Sequence, residues 1–394
     1  MQNKRIVLTE FFCTDDVTLI FGVRADWDEP KVVEITKPLK EIRAFVVEHF
    51  GVQTARDSAT ALSGYEKVQS LDLAAWQEFF TPFIAPIHEW ADEGDILWLV
   101  PHDVLHYLPL HALQLDGKCL IERHPILYTP SASVMKYCQA KRTNRPRQKA
   151  FVLGDSENNL PFAREEAALV AEHFGTPAHL GRQATKTLLK EKLTNEKETL
   201  DIIHFACHGY FDSYQPLKSG IALAKNGDGD ANLTAEEIFG LELHADLVVI
   251  SACESGVNER KPGDELIGLT RALIYAGTPS VLVSLWQVND LSTLILMENF
   301  YQELSNGSNK AQALQQAQLK LMNMTYLKVS DYVSNRLENL NAAGQNDRAS
   351  LFEQLAYSSL LATENYNPRR EEKEWCPFSH PAAWAPFILV GDWK

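Results

Sequence analysis

A histidine and a cysteine, each just past a short apolar run and each within three residues of a glycine, are the groups in this chain best suited to chemistry. The first run is DIIHFACHG over residues 201–209, the second DLVVISACESG over residues 246–256. A strand ending near Ala206 leaves His208 and Gly209 at its carboxyl end, and one ending near Ser251 leaves Cys253 just beyond its own. If the two strands are neighbours, an imidazole and a thiol meet above one sheet edge. A free thiol titrates near ~8.5, so it needs a neighbouring base to attack a carbonyl at neutral pH. The backbone N–H groups of Gly209 and Cys253 are the natural donors to a tetrahedral oxyanion, since glycine admits close approach. The pattern is that of acyl transfer by a Cys/His dyad.

Other readings compete. Taken alone, Cys253 is more simply a buried structural thiol and His208 a hydrogen-bonded core residue. His204, Cys207 and His208 invite a zinc site, but on a strand positions 204 and 208 share a face while 207 points away. His204 is therefore expected to be a packed strand residue, and no metal or cofactor is expected. Asn226, Asp228, Asp230 and Glu237 have the spacing of a calcium loop, with Ala231 where glycine belongs, so a Gly/Asp-rich turn is the simpler reading. His102, His106 and His111 fall in PHDVLHYLPLH, with no thiol at an equivalent strand end. No glycine-rich phosphate loop follows any strand.

The surrounding pattern explains how such residues would be positioned. From residue 150 onward, continuous Val/Ile/Leu runs at 150–154, 201–206, 247–251 and 280–285 alternate with helical periodicity at 163–174, 185–193, 234–239 and 266–276. Such alternation predicts parallel βαβ units, which gather reactive groups beyond the carboxyl ends of the strands. Helices are expected at 291–304 and 309–322, a polar and helical stretch at 323–375, and an edge or bent strand at 382–390 because of Pro386. The first 145 residues mix strands (17–23, 31–35, 96–100) with a helix over 71–90. The basic stretch KRTNRPRQK at 141–149 sets the boundary between units 1–145 and 146–394. The runs DILWLVPH at 95–102 and DIIHFACH at 201–208 both lead from Asp through a strand to His, as a duplicated unit would.

Charge narrows the partners. With 37 basic against 52 acidic residues the chain carries −15, which argues against direct nucleic-acid binding. The first ten residues make too short an apolar run for an export signal, and no run would cross a membrane. The six scattered cysteines suit a reducing compartment, so a cytoplasmic location is expected.

The segments IIHFACHG, DLVVISACESG and GDELIGLTRALIYAGTPSVLVSLWQVND, with VPHDVLHYLPLHAL upstream and HPAAWAPFILVGDW at the end, resemble the CHAT domain family, caspase-like cysteine peptidases of the separase–caspase clan. The resemblance implies an α/β fold, a caspase-like mostly parallel sheet flanked by helices, with an amino-terminal pseudo-caspase-like half lacking the dyad. It carries His208 over as catalytic histidine, Cys253 as nucleophile and Gly209 as an oxyanion donor. For substrate binding it points to Asp155, Ser251 and the stretch from Trp286 to Asp290. Asp155 could equally be a turn residue and Trp286 a core residue. The implied function is a cysteine endopeptidase acting on a protein substrate in regulated proteolysis, including defence against phage. Its restraint would come from a partner protein or from ordering of the loop 255–264. The alternative is a non-catalytic module that binds a peptide or partner.

Overall fold

The computed structural model describes residues 5–50, 68–142, 147–194, 200–210, 215–226, 231–251, 265–286, 288–363 and 374–394. In the amino-terminal part the strands are β1 (Ile6–Cys13), β2 (Thr18–Val23), β3 (Lys31–Ile35), β4 (Ile96–Val100), the small hairpin β5 (Gln114–Leu115) and β6 (Lys118–Cys119), and β7 (Ile126–Tyr128). The remainder contributes β8 (Ala150–Gly154), β9 (Ala178–Leu180), β10 (Ile202–Ala206), β11 (Gly209–Tyr210), β12 (Gly220–Ala222), β13 (Asn232–Thr234), β14 (Leu247–Ile250), β15 (Ser280–Ser284) and β16 (Phe387–Gly391). Eleven of them form one sheet in the order β3-β2-β1-β4-β7-β16-β15-β14-β10-β8-β9. The chain is thus an α/β protein with a large, mostly parallel sheet flanked by helices. Strands β4, β10, β14 and β15, apolar but for His204, Ser280 and Ser284, are buried along their length, as strands covered on both faces must be.

The sheet consists of two parallel runs that meet antiparallel. β1, β4, β7 and β16 run one way, β15, β14, β10 and β8 the other, and β16 pairs antiparallel with β15 at the junction. The two runs match in detail. Asp95 accepts a hydrogen bond from the Arg5 N–H just before β1, at 3.2 Å. Asp201 does the same for the Lys149 N–H just before β8, at 3.0 Å. Each aspartate starts a strand (β4, β10) and ties down the start of its parallel neighbour, so the sequence likeness of residues 95–102 and 201–208 has a structural counterpart.

The helical expectations hold closely: helices span Leu73–Trp90, Pro161–His173, Lys186–Thr194, Ala235–Phe239, Glu265–Tyr275, Asp290–Ser305 and Lys310–Met322, and the polar stretch folds into Tyr326–Ala342 and Asn346–Leu361. The expectation at 382–390 needs correction. A short helix, Pro381–Trp384, comes first, and β16 is central, between β15 and β7. Pro386 lies just before the strand, where its missing N–H removes no ladder bond. Its carbonyl accepts from the Leu285 N–H at 2.8 Å. Strands β1 and β7 carried no distinct sequence signal, being placed by their partners. No helix among the described residues is long and apolar enough to cross a membrane.

Candidate active site

His208 is placed by β10. The parallel pairing of β10 with β14 sets Phe205 opposite Ile250, and the Ser251 N–H donates to the Phe205 carbonyl at 2.9 Å. The two strands are therefore neighbours, with carboxyl ends side by side at about 4.8 Å spacing. His208 lies three residues past Phe205, and position 253 lies three residues past Ile250. Cys253 itself falls outside the described residues, as does the loop 255–264.

The imidazole of His208 is nearly buried, and its two nitrogens differ. Nε2 lies 2.8 Å from Asn159 Oδ1 and 3.9 Å from Glu157 Oε2. Nδ1 is buried and has no hydrogen-bond partner among the described residues. Gly209 begins β11, which pairs antiparallel with β12, Gly209 opposite Ile221. The Ala222 N–H donates to the His208 carbonyl at 2.8 Å, making 208 and 222 the hydrogen-bonded pair. By the alternation of antiparallel ladders, the Gly209 N–H then points away from β12.

The loop between β8 and helix Pro161–His173 brings Asn159 and Glu157 to the ring. Asp155 holds that loop. Its carboxylate, 3% exposed, accepts from the Leu160 N–H and from Arg164 Nε, both at 2.8 Å. Arg164 Nη2 donates to Asn158 Oδ1 at 2.8 Å, and Ser156 Oγ donates to the Ala222 carbonyl at 2.6 Å. Asp155 and Asn158 both adopt left-handed backbone conformations, which Asp and Asn tolerate in turns. Gly181 (φ +55°) makes room: a Cβ there would lie 2.3 Å from Asn158 Oδ1.

Beneath the strand ends lies a buried polar chain. His204 Nδ1 is 2.8 Å from the Tyr301 hydroxyl, and its Nε2 is 3.1 Å from Glu166 Oε1 at an angle too poor for a hydrogen bond. The Ser251 hydroxyl donates to Glu166 Oε2 at 3.0 Å. Asp290, open to solvent at the start of its helix, has its carboxyl pushed up to about 6 by the protein crowded around it and by the Glu166 charge. Trp286 is 4% exposed, its indole N–H donating to the Ala382 carbonyl at 3.2 Å. Ser251 and Asp290 thus gather around Glu166, and of the four residues Asp155, Ser251 and Trp286 are buried and hydrogen-bonded while Asp290 is exposed.

The neighbouring thiols are poor nucleophiles. Burial pushes Cys207 up to about 12 and Cys13 to about 11, and Cys119 and Cys138 likewise to about 12. Of the calcium-spaced residues, Glu237 pairs with Lys186 at 3.0 Å and caps its own helix through the Thr234 N–H at 3.1 Å, while Asp228 and Asp230 lie outside the described residues. His111 is core: its Nδ1 is 2.9 Å from the Tyr128 hydroxyl, and burial lowers its pKa to about 3.

The amino-terminal run contains the same positions with different chemistry. Leu99 of β4 pairs with Tyr128 of β7, and the Thr129 N–H donates to the Leu99 carbonyl at 3.0 Å, as Ser251 does to Phe205. Three residues past this pair stand His102 and Ser131. His102 Nδ1 accepts the Cys13 N–H at 3.3 Å, and Ser131 Oγ caps a helix through the Val134 N–H at 3.3 Å. Both groups are tied to backbone, and the half has no thiol at the equivalent position.

The CHAT domain family matches residues 73–392, which include every element around His208. The chain belongs to the CHAT domain family. Among curated proteins it is similar to tetratricopeptide repeat protein 28 of Homo sapiens, 25% identical over 241 residues, and of Mus musculus, 26% identical over 239 residues. These matches cover 53% and 51% of this chain and 9% of each relative, so the chain spans about a tenth of their length. Among solved structures, the Saccharomyces cerevisiae separase–securin complex aligns with 79% of this CHAT chain and 29% of that chain, at TM-score 0.45 and 9% identity.

Sequence reasoning missed Asn159, Glu157, Glu166 and Ser131. Asn159 is an exposed amide in a turn and had no local signal, since its partner is 49 residues away. Ser131 became legible only once β7 was recognised as the partner of β4.

Proposed function

We propose that this chain is a cysteine endopeptidase in which His208 and Cys253 form the reacting pair. The observation that carries this reading is the register. Phe205 pairs with Ile250 on adjacent parallel strands, His208 and Cys253 each follow that pair by three residues in sequence, and the His208 Nδ1 has no partner among the described residues. Covalent reach keeps the Cys253 Cα within about 7 Å of Ser251. His208 Nδ1 takes the thiol proton as the sulfur attacks the peptide carbonyl, forming the carbon–sulfur bond. The Gly209 and Cys253 N–H groups receive the oxyanion, and the acyl-enzyme forms as the leaving amine takes the proton from His208. Water then attacks, giving its proton to Nδ1, and the thiol is restored with release of the carboxylic acid. Neither a metal nor a cofactor enters any step.

In this reading Asp290 and Ser251, grouped around Glu166, border the substrate site, Asp155 holds the loop that carries Asn159, and Trp286 packs beneath. The substrate is a protein segment in extended form. A cytosolic peptidase of this kind requires control, by a partner protein or a ligand, or by ordering of the loop 255–264. Phage defence is the setting that the family resemblance suggests.

Cys253→Ala and His208→Ala, each checked for folding by circular dichroism, test the reading against a candidate protein substrate. Both are expected to lower cleavage by at least about a hundredfold. Cleavage at the wild-type rate in either folded variant would refute the dyad, and retained binding without cleavage by the wild type would favour the peptide-binding module.

A further inference from the structure

We propose that Asn159 is the positioning residue that fixes His208 in the Nε2–H tautomer, leaving Nδ1 as the basic nitrogen. This rests on the peptidase reading for its purpose, but not for its geometry. Nε2 sits 2.8 Å from Asn159 Oδ1 and 3.9 Å from the Glu157 carboxylate, and both are acceptors. A nitrogen faced by two acceptors must carry the proton, and a neutral imidazole then has its lone pair on Nδ1. The orientation of the amide is itself determined. Asn159 Nδ2 lies 3.5 Å from Glu157 Oε2, so turning the amide over would bring its oxygen against a carboxylate. The order is thus carboxylate, amide, imidazole, with Nδ1 buried at the far side of the ring and unpartnered among the described residues.

The amino-terminal half supplies an internal contrast. There His102 Nδ1 is consumed by the Cys13 N–H, which leaves it no basic nitrogen on that side. The loop that carries Asn159 is built at some cost, with two left-handed non-glycine residues, a buried Asp155–Arg164 pair and the close approach at Gly181. Burying Asp155 against Arg164 is what sets the span from residue 155 to residue 160.

The test uses the full chain labelled with ¹⁵N-histidine, with His208 assigned by its loss in His208→Gln. In the wild type the Nδ1 and Nε2 shifts are expected to report a single tautomer, protonated at Nε2. Asn159→Leu is expected to give a mixture of tautomers, and to lower kcat on the order of ten- to hundredfold with KM changed by less than about twofold. Asn159→Asp keeps an acceptor at the same distance. It should keep the tautomer and restore most of kcat, while the acid limb of the kcat/KM profile moves to higher pH because a new anion favours the imidazolium. Glu157, whose carboxyl group lies 3.9 Å from the ring, is controlled by Glu157→Gln, which keeps an acceptor oxygen for the Asn159 amide and should leave the tautomer unchanged. An unaltered tautomer in Asn159→Leu, or a collapse in Glu157→Gln alone, would overturn the proposal. A tautomer mixture in Asn159→Leu, in a protein whose wild type cleaves nothing, would uphold the role of Asn159 and sink the peptidase reading instead.

Discussion

At the scale of single residues, what separates the two halves is which nitrogen of a histidine is spent. His102 and His208 occupy equivalent positions beyond equivalent strands, yet one gives Nδ1 to a backbone N–H and the other has no Nδ1 partner among the described residues. Asp290 offers a pH test of the acidic group around Glu166. Its folded pKa of about 6 lies above the ordinary carboxyl value near ~3.9, so the folded chain holds this proton more tightly than the unfolded one. Its contribution to stability is complete below pH 4 and is lost as the pH rises to 6. Asp290→Asn should therefore gain stability relative to wild type between pH 4 and pH 7, by about 1–2 °C in melting temperature. Thermal melts at the two pH values read this directly, and a constant offset between the proteins would mean that Asp290 is not the raised group. His208 and Cys253 stood out in the sequence because histidine and cysteine near glycine after apolar runs are conspicuous. Asn159 did not, because an asparagine in a turn has many ordinary reasons to be there.

At the scale of elements, parallel strands need their starts fixed as firmly as their ends. The apolar runs over residues 150–154, 201–206 and 247–251 foretold β8, β10 and β14, since a strand buried on both faces has little choice of composition. What no run could reveal is the order of the strands, which is set by side chains at their starts. Asp246, just before β14, is held by Arg147 Nε at 2.6 Å and by Lys310 Nζ at 3.1 Å. Lys310 also faces Asp392, which Arg142 pairs from the other side. Burial draws the Asp246 carboxyl upward, but Lys310 and Arg147 outweigh it and hold it below the usual range. Burial lowers Lys310 to about 8. This fully buried lysine joins the start of β14 to the end of β16. Lys310→Ala should cost about 3 kcal/mol, because two buried carboxylates lose a shared partner. Urea unfolding measures it, and a loss under about 1 kcal/mol would mean that Arg142 and Arg147 suffice.

At the scale of the whole molecule, the boundary near residue 145 divides the sequence more cleanly than it divides the structure. β16, from the end of the chain, pairs with β7 from the first part on one edge and with β15 on the other. The buried apolar core runs through both parts, and Gln315 of helix Lys310–Met322 donates to the Ile121 carbonyl at 2.7 Å. A fragment of residues 146–394 would leave β16 as a bare edge and strip the cover from that helix, conditions that favour aggregation. It is expected to be insoluble or molten alone and to recover a native near-ultraviolet spectrum when co-expressed with residues 1–145. A monomeric, cooperatively melting fragment would show instead that the two parts fold independently. The two Asp-to-His runs of the sequence correspond in the structure to Asp95 before β4 and Asp201 before β10, each tied to the start of a parallel neighbour. The sequence concealed the interleaving, because the joining of β16 to β7 is a contact between the chain's last strand and its first half, and no local pattern encodes that.

The most direct measurement is the rate at which iodoacetamide modifies each cysteine at pH 7, read by peptide mass spectrometry in the wild type and in His208→Ala. The described thiols are all disfavoured: Cys13, Cys119, Cys138 and Cys207 are buried with raised pKa values, and burial also raises the partly exposed Cys376. Cys253 is expected to react first, and His208→Ala should slow it at least about tenfold while leaving Cys376 unchanged. Equal rates at Cys253 in the two proteins, or faster modification of Cys376 than of Cys253, would contradict a thiol activated by His208.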